Sequence, residues 1–389
     1  MILDKMDVSF VFSSNMEMVE VTIMTGKERI LTALERGVPD MVPLWELAFN
    51  EPSVIGIASH FVDKDKLPPV KHFFDMSDYE MFQLVDAFKA MSLALDLDGA
   101  SAVTNAELTR VDADHIRDAH GTVFHCSDFG EPYPVQGPIG DMADLKKYKM
   151  RKPKQEDFLQ VMLMRSMAPD KAVCYMMPGP FFMSWSLRGA MQKLLMDYLA
   201  DPALAHALAR MTTDYCLEVV DMVAAAGADF IVIECDLAYK NGTLMSPAQY
   251  DDFVGVYYKE IVDCVHARGL KIVKHSDGVL DTLIPNFIQQ GFDGIHPIQP
   301  QCMDIGKIKR EYGDRLCIMG NIDCAFLLVF GTPEEVRESV RETISIAAPG
   351  GGYIISSSNT IHPGCKPENY IALARAAREF GKYPELAGA

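Results

Sequence analysis

Short apolar runs recur along this chain and alternate with longer segments in which apolar residues return every three or four positions. Short runs bounded by turn residues are typical of buried strands, and the longer pattern is typical of amphipathic helices. Eight runs meet the strand criteria: residues 41–47, 98–105, 172–177, 229–235, 270–275, 294–297, 316–320 and 352–357.

Helical patterns fill most of the intervals between these runs. The first helix follows Thr25, which together with Glu28 resembles a capping box, and it ends at Gly37. The other helical segments are residues 79–95, 184–199, 202–226, 247–268, 281–290 and 333–348. Eight strands separated by helices predict an α/β fold of the (β/α)8 type, a TIM barrel.

The same pattern divides the chain into one domain and one extension. Residues 24–389 are expected to form the barrel as a single domain, and residues 1–23 look like an N-terminal extension. Between the second and third predicted strands lies a polar excursion over residues 107–134. Apolar and polar residues alternate in it at residues 107–111 and 122–125, which predicts a hairpin insertion at the rim of the barrel.

Composition excludes several classes of partner. The formal net charge is −18, so nucleic acid and anionic membranes would be repelled. No apolar run reaches the length of a membrane span, and no secretory signal is visible at the N-terminus. The nine cysteines include no CxxC pair, which indicates reduced thiols and predicts a cytoplasmic protein.

Polar side chains cluster where the predicted strands end. In a parallel barrel these ends meet at one face, which is where barrel enzymes carry their active sites. The candidates are Glu46 at the first strand, Glu234 and Asp236 at the fourth, His275 and Asp277 at the fifth, His296 at the sixth, Asn321 and Asp323 at the seventh, and His362 and Cys365 beyond the eighth.

Two chemistries fit these residues. Two carboxylates and a histidine at adjacent strand ends can hold a zinc ion with an open coordination position. The same groups can equally form a metal-free set for acid–base chemistry and substrate binding. The residues alone leave both open.

An apolar wall is expected at the third strand end. Residues 178–185 combine Phe181, Phe182 and Trp185 with prolines and a methionine. Such a wall suits a flat apolar or aromatic substrate. The chain contains no GxGxxG, P-loop, HExxH or GxSxG motif, so dinucleotide, nucleoside triphosphate and serine-hydrolase functions have no support.

Several longer stretches resemble the uroporphyrinogen decarboxylase superfamily across residues 24–383. They are TGKERILTALERGVPDMVPLW, ECDLAYKNGTLMSP, HSDG, GNID and APGGGYIISSSNTIHPGCKPEN. The resemblance implies the barrel fold and two chemistries, which are porphyrinogen decarboxylation and corrinoid-dependent methyl transfer.

The resemblance favours the methyltransferase branch. The decarboxylases of the superfamily carry an arginine-rich segment after the first strand, which grips a polycarboxylate substrate. Here the corresponding residues 46–52 contain two glutamates and no arginine, so a polycarboxylate would be repelled. The ending of the chain, with GGGY and PEN, is also more similar to the methyltransferases.

The same branch implies a metal site. Its zinc enzymes show a His-x-Cys pair at the fifth strand end and a further cysteine after the eighth strand. Here the pair is His275 and Asp277, the later position falls near Asn359, and Cys365 is displaced by six residues. The implied metal ligands are therefore Glu234, His275 and Asp277, with Cys365 as a further candidate. Such an oxygen-rich site suits activation of an ether or alcohol oxygen.

The resemblance thus implies an O-demethylase-type methyltransferase. It would move a methyl group from a small methoxylated compound, aromatic compounds included, to the cobalamin of a partner corrinoid protein, as a monomer or a homodimer. The expected catalytic residues are His275, Asp277 and Asp236. The expected substrate-binding residues are Glu46, Phe181, Phe182, Trp185, Tyr239, His296, Asn321 and Asp323. The alternatives are a metal-independent decarboxylase and a non-catalytic binding subunit.

Overall fold

Seven parallel strands form the central sheet of the computed structural model, which describes residues 23–105, 107–126 and 132–383. The strands in chain order are β1 Gly99–Ala102, β2 Thr109–Arg110, β3 His115–Arg117, β4 Val123–His125, β5 Tyr133–Gln136, β6 Ala172–Met177, β7 Phe230–Ile233, β8 Ala238–Tyr239, β9 Gly242–Thr243, β10 Lys271–His275, β11 Gly294–His296, β12 Cys317–Met319 and β13 Tyr353–Ile354. The order across the central sheet is β1-β6-β7-β10-β11-β12-β13.

The predicted first strand, residues 41–47, closes this sheet into a barrel without being a regular strand. The Leu44 carbonyl accepts a hydrogen bond from Asp98 N at 2.9 Å on the β1 side. Trp45 N donates to the Ile355 carbonyl at 3.2 Å on the β13 side. Pro43 has no N–H to contribute, which interrupts the ladder. The fold is therefore the predicted (β/α)8 barrel. Residues 41–47 form its irregular eighth element, between β13 and β1.

Helices surround the barrel. They are α1 Gly26–Leu34, α2 Glu51–Ala58, α3 Asp78–Ala94, α4 Met142–Lys147, α5 Leu159–Met167, α6 Gly179–Arg188, α7 Met191–Ala200, α8 Pro202–Ala226, α9 Pro247–Tyr250, α10 Val256–Ala267, α11 Ile284–Gln290, α12 Ile305–Tyr312, α13 Leu327–Phe330, α14 Pro333–Ala347 and α15 Pro367–Phe380. A π-helical segment, Asp251–Gly255, joins α9 to α10. The predicted capping box of α1 is confirmed, since Thr25 Oγ1 accepts from Glu28 N and Glu28 Oε2 accepts from Thr25 N.

Two local predictions are corrected. The helix predicted over residues 184–199 is two helices, α6 and α7, because Gly189 ends α6 in the left-handed conformation with φ of 78°. A Cβ at Gly189 would lie 2.3 Å from Gly137 N, so only glycine fits this turn. The predicted rim hairpin is a four-stranded antiparallel sheet, β2-β3-β4-β5, whose last strand extends to Gln136.

The core has two parts, one on each side of the barrel wall. Inward-facing strand residues pack with Trp45 inside the barrel, and Ile30 and Leu34 of α1 close the end where the strands begin. Outward-facing strand residues pack against the surrounding helices in a larger cluster. Because side chains alternate along a strand, the two clusters show which residues can reach the inside of the barrel.

Three further sequence-based expectations concern the chain as a whole. The proposed extension, residues 1–23, lies outside the described residues apart from Ile23. Within the described part of the chain, we find no helix with the length and apolar character needed to cross a membrane. All nine cysteines are free of disulfide bonds, which agrees with the expected reduced thiols.

Candidate functional site

Three neighbouring strands bring the central polar side chains to the mouth of the barrel, where the strands end. β10 pairs in parallel with β7 on one side and with β11 on the other. The register places His275 opposite His296 and places the Asp236 loop, which follows β7, beside the end of β10. Val232 and Val273 belong to the inner cluster, so by alternation Glu234 and His275 also face the inside of the barrel. Asp236 follows the turn at Cys235, which brings it beside His275.

Asp236, His275 and Asp277 form one compact set. One potential ligand atom from each lies within 4.8 Å of those of the other two. Hydrogen bonds orient both carboxylates: Asp277 N donates to Asp236 Oδ1 at 2.8 Å, and Asn359 Nδ2 donates to Asp277 Oδ2 at 2.7 Å. The structure therefore brings together all three residues that were predicted to be catalytic.

A chain of hydrogen bonds determines which nitrogen of His275 carries its proton. Ser356 Oγ donates to the Ser357 carbonyl at 2.9 Å, so it accepts from His296 Nε2, which lies 3.2 Å away. His296 Nδ1 is then the acceptor in the 2.8 Å contact with His275 Nδ1. His275 consequently carries its proton on Nδ1 and keeps the lone pair of Nε2 for a ligand.

Burial keeps both histidines neutral. Burial, together with the charge of Lys274, lowers the pKa of His275 to about 3. Burial also lowers the pKa of His296 well below its ordinary value. Two facing imidazolium rings would repel each other, whereas two neutral rings share one proton across their contact.

Lys274 holds the ends of two strands together from behind the site. Its ammonium group is buried on the outer face of the barrel, where Nζ donates to the Cys235 carbonyl at 2.8 Å and to the carbonyls of Ile233 and His275. It also lies 5.7 Å from the ring centre of Tyr258. Burial lowers the pKa of Lys274 to about 8. These hydrogen bonds from Lys274 join the segment that carries Asp236 to the strand that carries His275.

The donor set fits a divalent metal. It offers one neutral imidazole nitrogen and two carboxylates, which is the type of three-ligand set that leaves zinc an open position. Oxygen donors in the majority also suit harder ions such as Mn²⁺. Asn359 holds Asp277 and His296 holds His275, so both ligands have the hydrogen-bonded support that metal ligands usually show.

Two predicted metal ligands lie outside this set. Glu234 faces the inside of the barrel, but it is one layer deeper, and its charge helps burial to raise the pKa of Cys174. Cys235, with φ of 109°, turns the chain after Glu234, so that Asp236 takes the place expected for Glu234. Cys365 is buried, its thiol contacts the Cys324 carbonyl at 3.6 Å, and burial raises its pKa to about 12.

Glu46 binds protein groups and does not face the inside of the barrel. Its neighbours Trp45 and Leu47 belong to the inner cluster, so Glu46 faces outward by alternation. Only 3% of it is exposed, and its carboxyl accepts hydrogen bonds from Ser357 N at 3.0 Å and from Ser357 Oγ at 2.6 Å. Burial, opposed by these bonds, raises the pKa of Glu46 to about 8. Its placement corrects the expected substrate-binding role.

The predicted aromatic wall consists of two residues. Phe182 and Trp185 are partly buried and meet edge to face, with ring centres 4.8 Å apart. Trp185 Nε1 donates to Cys235 Sγ at 3.4 Å, which places the wall beside the loop that carries Asp236. Phe181, in contrast, is only 3% exposed and packs in the outer core.

The remaining predicted residues lie around the mouth. Tyr239 is exposed in the small hairpin of β8 and β9, and Asn321 is buried directly after β12. Asp323 Oδ1 accepts hydrogen bonds from Ala325 N and Phe326 N, so this carboxylate caps a turn. The sequence does not indicate that Ser356 supports His296 or that Lys274 joins the strand ends, since neither a serine run nor a lysine in a strand is specific to such a role.

Comparisons with known proteins agree with this architecture. The model of the uroporphyrinogen decarboxylase (URO-D) family matches residues 112–380. A uroporphyrinogen decarboxylase from Pseudoalteromonas translucida (strain TAC 125) is 26% identical over 326 residues, which cover 75% of this chain and 85% of that protein. A uroporphyrinogen decarboxylase from Coxiella burnetii (strain RSA 493 / Nine Mile phase I) is 24% identical over 285 residues, which cover 68% and 74%. The solved structure of a methyltransferase from Methanosarcina mazei matches with a TM-score of 0.65 and 18% identity, and the match covers 92% of this chain and 99% of that one.

Proposed function

The chain belongs to the uroporphyrinogen decarboxylase family, and on that premise we propose that it is a methyltransferase. It takes a methyl group from a small methoxylated compound and passes it to the cobalt of a corrinoid carried by a partner protein in the cytoplasm. The observation that carries the proposal is the Asp236, His275 and Asp277 set, which can hold a divalent metal at the mouth of the barrel.

Methyl transfer from an ether needs help at the leaving oxygen. The bond between the methyl carbon and oxygen breaks, the electron pair stays on oxygen, and the acceptor supplies the pair for the new bond to carbon. A divalent ion held by Asp236, His275 and Asp277 would supply Lewis acidity at that oxygen, an effect worth several kcal/mol of charge stabilisation.

The chain's own residues prepare the site for this chemistry. The contact with His296 places the proton of neutral His275 on Nδ1, which leaves the lone pair of Nε2 free to bind a metal. Asn359 and the Asp277 backbone fix the two carboxylates before a substrate arrives. Preorganised groups of this kind need little rearrangement when charge develops on the leaving oxygen.

The charge at the mouth argues against a polycarboxylate substrate. Glu234 faces the inside of the barrel, Asp236 and Asp277 lie at its mouth, and Asp323 lies at its rim. A substrate with many carboxylates would be repelled by these groups. An uncharged methoxylated compound has no such penalty, and the wall of Phe182 and Trp185 offers it an apolar surface.

The rim supports docking of a corrinoid protein. Tyr239, on the hairpin after β7, is 51% exposed, and Phe326, on the loop after β12, is 61% exposed. Large apolar side chains at the rim of a site are typical of a protein–protein interaction surface. A partner bound there would bring its corrinoid over the open end of the barrel.

The test is a methyl-transfer assay on purified protein with reduced cobalamin and methoxybenzene as the probe substrate. Formation of methylcobalamin is followed by its absorbance. We expect turnover by the wild type and a loss of roughly 100-fold in Asp277→Asn and His275→Ala. Cys365→Ala is the matched control, because Cys365 lies outside the set, and it should retain activity. No methylcobalamin from a panel of methoxylated arenes would count against the proposal.

The second candidate is a metal-independent decarboxylase. It is favoured by the sequence relatives, which are uroporphyrinogen decarboxylases, and by Asp236 and Asp277 as proton-transfer groups. Release of CO2 from a carboxylated probe without cobalamin would support it. If no CO2 is released and methyl transfer is observed, the methyltransferase remains as the function.

A further inference from the structure

A second cavity lies outside the barrel wall, away from the Asp236, His275 and Asp277 set. It is bounded by the outer face of β6, by helices α6 and α8, and by the four-stranded insertion. Tyr175 and Met177 line it and belong to the outer cluster, whereas Cys174 and Met176 on the same strand face the inside of the barrel. The barrel wall therefore lies between this cavity and the inside of the barrel, and Phe182 on α6 borders both the cavity and the apolar wall at the mouth.

The cavity has the size of one aromatic ring. Its volume is about 150 Å³. A cavity of about 150 Å³ engineered into another protein accepts benzene. Much of the surface is apolar, from Met177, Phe182, Leu187 and Val219, which suits the faces of a flat ring.

Two buried polar atoms in the lining have no protein partner. Within the described part of the chain, neither His120 Nδ1 nor Ser186 Oγ makes a hydrogen bond. Ser186 is only 5% exposed and lies on α6, while His120 lies in the turn between β3 and β4. Buried polar groups are nearly always satisfied, because leaving one without a partner costs about 1–3 kcal/mol. Both atoms therefore call for a ligand group or a water.

Contacts from the insertion and from two tyrosines outside it hold His120 in place. Asp118 Oδ1 accepts hydrogen bonds from His120 N at 3.0 Å and from Thr122 N at 2.8 Å. Tyr148 Oη donates to the His120 carbonyl at 2.8 Å, and the imidazole packs edge to face on Tyr215 at 5.1 Å. Burial and the charge of Arg151 lower the pKa of His120 to about 4, so its ring is neutral.

The charges around the cavity disfavour an anion. Arg151 is engaged by Asp157 through two hydrogen bonds of 2.6 and 2.7 Å, so its charge is compensated within the protein. Asp118 and Glu107 also line the cavity and add negative charge. A carboxylate or phosphate ligand would meet repulsion there, whereas an uncharged hydroxyl would not.

We propose that this cavity is a second ligand site, which binds one uncharged ring of benzene size carrying a hydroxyl group. The ring packs against Phe182 and Val219, and the hydroxyl makes hydrogen bonds with His120 Nδ1 and Ser186 Oγ. The proposal goes beyond the methyltransferase function and does not rest on it, because neither His120 nor Ser186 belongs to the Asp236, His275 and Asp277 set.

The test is calorimetric titration of the full chain with phenol, with benzoate as the anionic comparison. We expect a phenol-binding event that Val219→Phe abolishes by filling the cavity. Phenol held at the barrel mouth, as the demethylation product, would be a separate event that Val219→Phe leaves unchanged. Ser186→Ala, a milder change, should weaken phenol binding about tenfold by removing one hydrogen bond. Benzoate should bind at least about tenfold more weakly than phenol.

Asp277→Asn is the matched control, since it alters the barrel mouth and leaves this cavity intact. It should bind phenol as the wild type does. Circular dichroism confirms that each variant is folded. A set of phenol-binding events that Val219→Phe leaves entirely unchanged would overturn the proposal. Loss of the Val219-dependent event in Asp277→Asn, equal binding of phenol and benzoate at it, or no phenol binding at all would also overturn it.

Discussion

His275 and His296 face each other across adjacent strands, with their Nδ1 atoms 2.8 Å apart. Since His296 donates through Nε2 to Ser356, its Nδ1 can only accept, and this fixes the proton of His275 on Nδ1. One contact between two buried rings thereby decides that the Nε2 lone pair of His275 is available at the mouth of the barrel.

The first prediction concerns this contact. His296→Leu removes the acceptor, so His275 loses its fixed tautomer, and metal affinity should fall about 10- to 100-fold. His296→Asn places an amide oxygen near the position of Nδ1 and should recover part of that affinity. The measurement is titration of the metal-free variants with Zn²⁺. Equal affinities for the Leu and Asn variants would mean that His296 only fills space.

The second prediction is a pH dependence of stability that arises from Glu46. Its pKa is raised from 4.5 to about 8, so between these values the folded protein keeps a proton that the unfolded chain has lost. The free energy of unfolding should therefore fall as the pH rises from 4.5 to about 8, by about 5 kcal/mol from this group.

Glu46→Gln provides the measurement for that prediction. The amide does not titrate, so denaturant unfolding of this variant should depend less on pH across the same window. Above pH 8 the variant should gain stability relative to the wild type. Parallel pH profiles for the two proteins would show that Glu46 does not carry the effect.

The third prediction concerns Asn359, whose Nδ2 donates to Asp277 Oδ2 at 2.7 Å. Asn359→Cys would add a thiolate beside the Asp236, His275 and Asp277 set. Thiolate ligands favour zinc over harder ions, so the preference for Zn²⁺ over Mn²⁺ should rise by about tenfold or more. Competition titrations measure the ratio, and Asn359→Ser serves as the control that adds no thiol. An unchanged ratio would place Asn359 too far from the metal.

The fourth prediction tests the docking surface. Phe326→Glu puts a charge on the rim and should weaken binding of the corrinoid partner by about tenfold or more, while metal content stays unchanged. Ile346→Glu is the matched control: it is 49% exposed on α14, which leads to the start of β13 at the opposite end of the barrel. Similar losses in both variants would argue against a docking role for the rim.

The strand ends were predictable from sequence because apolar runs and the polar residues after them lie next to each other in the chain. His275, Asp277 and Asp236 were identified in this way. The side of the barrel wall that a side chain faces is harder to predict, since it depends on whether odd-numbered or even-numbered residues of that strand point inward. Glu46 faces outward because Trp45 faces inward, and no local pattern reveals this.

How deep each side chain lies in the barrel, and which residues support it, were less predictable than its place at a strand end. Glu234 and Asp236 share one face, but the turn at Cys235 decides which of them reaches His275. Phe181 is in the outer core because α6 begins at Gly179 and turns that side chain toward the layer between the barrel wall and the helices. The supports from Ser356, Asn359 and Lys274 come from distant segments, which only the closed barrel brings together.

The most direct test of the central claim is the metal content of the purified protein, measured by elemental analysis. The wild type and Cys365→Ala should hold about one divalent ion per chain after loading, and Asp236→Asn, His275→Ala and Asp277→Asn should each lose it. Retention of the ion by all three variants, or no ion in the loaded wild type, would contradict a metal site formed by Asp236, His275 and Asp277.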